Sequence, residues 1–201
     1  MRFRVPFVIQ LIFKRRTWRG EDPKTVYLTF DDGPDAETTP GVLSLLAQEN
    51  ISATFFCLGK NIEAHPNLYH KIIEEGHCIG NHTYGHEKGT KTQTASYLKS
   101  ISQTEKLHAS KLFRPPYGRI RFIQVSRILS LGKKIIMWTW NSQDYNPKME
   151  PKKIIKNAKK IKGKDILLFH NSQKSKALME QSLKSVIDIV KKKGLTFSTL
   201  E

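Results

Sequence analysis

Two aspartates stand side by side in "LTFDDGPD" (28–35), after an apolar run and directly before Gly33 and Pro34. Adjacent carboxylates repel and a Gly-Pro pair ends a strand, so Asp31 and Asp32 are locally unfavourable unless something binds there. An Asx-turn accounts for one acid but not for the second. "NHTYGH" (81–86) carries His82 and His86 at i and i+4, which on a helical turn puts both imidazoles on one side. A carboxylate from elsewhere would complete a two-His, one-carboxylate set for a metal. Successive side chains of an extended segment point to opposite sides, so the two aspartates should have different jobs. One would sit on the metal, the other beside its water as a base. His170 ends the run "ILLFH", and Asp144 on a neighbouring loop could hold its imidazole in the charged, proton-donating form. Arg114, in the stiff segment "FRPPYG", offers a fixed cation that could orient a carboxylate. His77 and Cys78 would extend the histidines to a four-ligand zinc site, but inside a short strand alternate residues face away from it.

These residues need a scaffold that brings distant points together, and the chain supplies short apolar runs alternating with helical patterns. Strands are expected at 25–30, 53–59, 77–81, 134–138, 165–169 and 195–199. Helices are expected at 39–50, 67–76, 94–109, 121–131, 151–161 and 176–193, the first with Thr39 as N-cap and Pro40 in its opening turn. Repeated strand-helix units with nearly all-apolar strands predict an α/β fold, a parallel sheet covered by helices, open or closed into a barrel. Ligands collect at the C-terminal ends of the strands in such folds, and the unusual polar residues follow strands throughout.

The 201 residues suit one domain, 38% hydrophobic and 26% charged, which argues against extensive disorder. With 34 Lys and Arg against 18 Asp and Glu, the formal charge is +16, much of it in stretches such as "PKKIIKNAKKIKGK". The excess reads chiefly as solvated helix faces, with an anionic cell-envelope or membrane surface as a partner for the basic face and no specific nucleic acid. Cys57 and Cys78 are too few for a disulfide framework and read as small apolar thiols. Residues 1–20 form a separate basic and apolar segment ahead of a domain at 21–201. Its apolar run, 5–13, is too short to span a bilayer and is interrupted by Gln10, so it should pack on the domain or lie on a membrane surface. Without a clear cleavage site after it, a cytoplasmic or membrane-peripheral monomer is the expectation.

Taken in order, "TFDDGPD", "GNHTYGH", "RPPYG", "MWTWNSQDY" and "LLFH" resemble the five motifs of the polysaccharide deacetylases, the NodB-homology domain of carbohydrate esterase family 4. The match runs from about Thr25 to the C-terminus. The resemblance implies a distorted (β/α) barrel over 21–201 and metal-dependent removal of acetyl groups from an acetylated glycan. It implies Asp31 as catalytic base, Asp32, His82 and His86 as ligands of a divalent metal, and His170 as catalytic acid. Zinc is the first expectation, with cobalt, nickel or manganese also fitting. It further implies that Arg114 positions the base, that the Tyr117 backbone N–H helps bind the oxyanion, and that Trp138 and Leu168 line the acetyl methyl. The fourth motif departs from the pattern: Asn141 stands at its first acidic position and Tyr145 where a Trp is common, leaving Asp144 as the partner of His170. Two other functions suit the same fold, a non-catalytic basic module for glycans or polyanions and a deacetylase of a small or lipid-linked sugar.

Overall fold

The computed structural model of the protein describes residues 3–200. At its centre runs β1 (Thr25–Asp31), all seven of whose residues are buried. It pairs in parallel with β2 (Thr54–Cys57) and β7 (Ile166–His170), and β8 (Thr196–Phe197) bonds to its first residues. Burial on both faces removes the need for polar alternation, which is why these strands read as continuous apolar runs. β3 (Cys78–Asn81), β4 (Leu112–Phe113) and β5 (Lys134–Ile135) continue beyond β2, while β6 (Trp140–Asn141) flanks β7. The order is β5-β4-β3-β2-β1-β7-β6, every pairing is parallel, and the curled sheet with its helices is the expected single-domain, distorted (β/α) barrel.

The helices lie against this sheet: α2 (Thr39–Glu49), α3 (Gly59–Ala64), α4 (Pro66–Glu74), α5 (Thr94–Leu107), α6 (Phe122–Ser130), α7 (Pro151–Ala158) and α8 (Lys176–Lys192). α8 shows how the pattern works: Leu183, Val186, Ile187 and Val190 fall on one face and enter the core with Ile154 and Ala158 of α7. Each such side chain contributes about 1.5–3 kcal/mol by leaving water. The Lys-rich sequence of α7 and α8 lies largely on their outer sides.

β5 and β6 are close in sequence yet form the two ends of the sheet, so their outer backbone groups need partners. Residues near the N-terminus supply them. Val5 N–H donates to Thr139 O at 3.0 Å, Asn141 N–H to Phe3 O at 2.8 Å, and Thr17 N–H to Ile135 O at 2.8 Å. Between these contacts lies α1 (Phe7–Ile12). Arg4 and Arg19 both reach the buried Asp165 carboxylate, at 2.7 and 3.2 Å.

Three short elements differ from expectation. α3 begins at Gly59, which was expected only to close a strand; β4 occupies the residues ahead of "RPPYG"; and the predicted 134–138 strand is confined to β5, with β6 a separate strand beyond it. Cys57 is in the core and Cys78 is half-buried in β3.

Candidate active site and metal centre

The sheet delivers Asp31 and His170 to one rim, because they are register partners at the C-terminal ends of β1 and β7. Asp32 follows with φ 81°, outside the extended region. Strand alternation therefore stops at Asp31, and the expectation that the two carboxylates diverge is incorrect. His82 Nε2 lies 3.7 Å from Asp31 Oδ2 and 3.7 Å from Asp32 Oδ1, so both acids face one imidazole. The turn is held from both sides, by Asn171 N–H to Asp31 O at 2.7 Å and by Asn61 Nδ2 of α3 to Asp32 O at 2.7 Å. A Cβ at Gly33 would come within 2.6 Å of Asn171 Nδ2, which is itself held by its bond to Thr39 Oγ1.

His82 and His86 do come together, with ring centroids 5.2 Å apart, but not on a helical turn. They sit in a loop after β3 in which Thr83 and His86 both have φ 67°. Local side chains build that loop: Asn81 Oδ1 accepts Thr83 N–H at 2.9 Å, and Thr83 Oγ1 accepts His86 N–H at 3.1 Å. His82 Nδ1 donates to Arg114 O at 2.8 Å, which leaves Nε2 as the basic nitrogen facing the aspartates. Burial pushes the His82 pKa down to about 3 despite the attraction of Asp32, and burial lowers that of His86 as well. Both imidazoles are neutral at pH 7, the state in which histidine binds a metal.

Asp32, His82 and His86 thus offer one oxygen and two nitrogens within 4.8 Å of one another. Asp32 Oδ1 is buried and accepts no hydrogen bond, although His86 Nε2 is 3.2 Å away. A buried carboxylate oxygen without a donor, facing two neutral imidazole nitrogens, fits a divalent cation.

Asp31 is held differently. Arg114, fully buried at the end of β4, donates to Asp31 Oδ1 at 2.7 Å, to Thr29 Oγ1 at 2.7 Å and to Met137 O at 3.1 Å. Its guanidinium lies 4.0 Å from the centre of the Phe56 ring. One oxygen of Asp31 is committed to Arg114, and the other faces the histidines.

Across the rim, Asp144 accepts two His170 N–H groups, the backbone one on Oδ2 and Nδ1–H on Oδ1, each at 2.8 Å. Ser142 Oγ donates to the same Oδ1 at 2.8 Å, and the Tyr145 ring meets the imidazole edge-on at 4.9 Å. Burial alone would lower the His170 pKa, but the charge and hydrogen bond of Asp144 outweigh it and raise it above the usual 6.5. Asn141, at the departing motif position, turns its Oδ1 to the Gln143 N–H at 2.8 Å.

A cavity of about 330 Å³ joins Asp31, Asp32, His82, His86 and His170 and is also lined by Tyr117, Trp138 and Leu168. Tyr117 sits at φ 60° in a tight turn whose bonds come from the N–H groups of Gly118 and Arg119. Sequence reasoning passed over Thr29, Ser142, Asn61 and Asn171, which orient the charged residues, and Lys174, whose Nζ is 3.9 Å from Asp32 Oδ2. Thr29 and Ser142 carried no signal, being hydroxyls in apolar or turn context. Lys174 was one lysine among many.

The profile of the polysaccharide deacetylases matches residues 19–136. The chain belongs to this family. It is 32% identical to a peptidoglycan-N-acetylglucosamine deacetylase of Bacillus cereus, over 92% of the chain and 90% of that protein. It is 34% identical to the peptidoglycan-N-acetylglucosamine deacetylase PgdA of Listeria monocytogenes over 91% of the chain, but spans only 39% of the length of that protein. Among solved structures, a peptidoglycan N-acetylglucosamine deacetylase in complex with 4-naphthalen-1-yl-N-oxidanyl-benzamide superposes with a TM-score of 0.89 at 33% identity, covering 98% of this chain and 95% of that one.

Proposed function

We propose that this polysaccharide deacetylase is a metal-dependent hydrolase that removes acetyl groups from N-acetylglucosamine-type units of a peptidoglycan-type glycan. The observation that carries the reading is the pairing of Asp31 with His170 across adjacent strand ends, beside the Asp32, His82 and His86 cluster. Those three residues would hold the cation, zinc by the character of the donors. A divalent cation there supplies Lewis acidity, polarising the acetyl carbonyl and acidifying water.

The remaining chemistry belongs to the side chains. Asp31 takes the proton of the attacking water on the oxygen that Arg114 leaves uncommitted. The Tyr117 N–H donates to the oxyanion that develops on the acetyl carbonyl, a type of contact that can contribute about 3 kcal/mol. Trp138 and Leu168 enclose the methyl group away from water. His170, charged through Asp144, gives its Nε2 proton to the glucosamine nitrogen as the C–N bond breaks. Water and an acetamide are consumed; acetate and an amine are released.

Acetate should be released from peptidoglycan fragments or acetylated chito-oligomers with added zinc or cobalt. Absence of release from every acetylated glycan supplied with metal would overturn the reading. A non-catalytic polyanion module would instead show only binding that weakens steeply with salt.

Metal removal has its own readout. Because a ligand of the folded state stabilises it by mass action, chelator is expected to lower the melting temperature of the wild type and to change that of Asp32→Asn little. Equal shifts in the two proteins would place the cation elsewhere. The pH profile tests His170. Its raised pKa means that its charge contributes stability fully below about 6.5, lost as pH rises through the higher folded value. Activity should fall over that same upper window as the acid deprotonates. Asp144→Asn removes the charge that opposes burial, so the alkaline limb of kcat is expected to move to lower pH; an unmoved limb would assign it to another group.

A further inference from the structure

α1 is turned inside out. Within "FVIQLI" the polar Gln10 is buried, while Phe7, Val8, Leu11 and Ile12 are 64%, 62%, 56% and 66% exposed. The orientation is enforced: Gln10 Nε2 donates to Val5 O at 3.1 Å, and its Oε1 accepts from Arg19 Nε at 3.3 Å. The bonds of Val5 and Thr17 to the sheet pin both flanks of the helix. The apolar face continues onto the start of α6, where Phe122 and Ile123 are 75% and 52% exposed and Phe122 lies 6.1 Å from Phe13, ring to ring.

Neighbouring apolar side chains more than half exposed and held outward call for an occupant, and their border states which kind. Lys14, Arg15 and Arg16 follow the helix directly and Arg121 precedes Phe122; none pairs with a carboxylate among the described residues. By contrast, Arg4 and Arg19, on the inner side, are both spent on Asp165. An apolar face framed by cations that have no carboxylate partner complements an interface of acyl chains beneath anionic headgroups. It does not complement itself, since two copies brought face to face would oppose these cations in a chain of net charge +16. α1 has six residues, so it would lie in the interface rather than cross it.

We propose that the outer face of α1 and the start of α6, with their basic border, form a docking surface for an anionic lipid bilayer.

The test is co-sedimentation with vesicles of phosphatidylcholine, alone or with about 30% phosphatidylglycerol, an anionic charge sufficient to attract basic residues. Wild type is expected to pellet with the anionic vesicles only, and less at high salt. Phe7→Ser with Leu11→Ser should reduce pelleting more than about tenfold, and Lys14→Gln with Arg15→Gln about fivefold for each charge removed. All four positions are exposed, and unchanged melting curves confirm that the variants fold. Failure of the wild type to pellet, or pelleting equal in wild type and variants, overturns the proposal. So does a lipid-free dimer in sedimentation velocity that Phe7→Ser with Leu11→Ser dissolves, which would make the patch a contact between copies.

Discussion

Asp31→Asn is expected to lower kcat for acetate release by about 10²–10⁴, the contribution usual for a positioned general base. The variant keeps the shape of the side chain and an oxygen for Arg114, so the loss reports chemistry rather than geometry. Bound metal should stay stoichiometric, because the aspartate in the cluster is Asp32 and its partners His82 and His86 are untouched. The two measurements together separate the adjacent acids: Asp31→Asn loses turnover and keeps metal, whereas Asp32→Asn loses both. If Asp31→Asn retained turnover, the base would have to be sought elsewhere in the cavity. If it lost metal, the division of labour between the two residues would be wrong.

The sequence suggested that division for a reason that the structure replaces. Two acids before Gly33 and Pro34 pointed to a binding site, but alternation along an extended chain does not separate them, since Asp32 has left the strand at φ 81°. Arg114 separates them instead, by occupying one oxygen of Asp31 and none of Asp32. The histidines repeat the lesson. Their i, i+4 spacing suggested a helical turn, yet they meet through a loop built by Asn81 and Thr83, whose hydrogen bonds no periodicity reports. Elements with enough residues to show a period, such as β1, β7 and α8, could be read directly. β4 and β6 have two residues each, and pairing with neighbours that are remote in sequence is what makes them strands. α3 was hidden by Gly59, a residue that ordinarily marks an end. Here a glycine opens a helix because the position has no room for a side chain: a Cβ would come within 2.6 Å of Thr104 and of Tyr84.

The site therefore depends on buried charge as much as on the residues that touch substrate, and Arg114 is where that dependence is greatest. Its guanidinium is fully buried, and burial lowers its pKa against the opposing charge of Asp31. Such a pair is costly to assemble and worse to break, because removing one member leaves the other charged and out of water. Arg114→Met is expected to destabilise the protein by about 3–5 kcal/mol, seen as a lower urea midpoint. In an Asp31→Asn background the same substitution should cost less, with a coupling of about 1–3 kcal/mol between the two positions, because no uncompensated carboxylate remains. Strict additivity would reduce Arg114 to a packed side chain over Phe56. Strong coupling would instead tie the stability of the barrel to the group that decides which Asp31 oxygen faces the cavity, so that no variant could release the oxygen held by Arg114 without loosening β1 and β4 together.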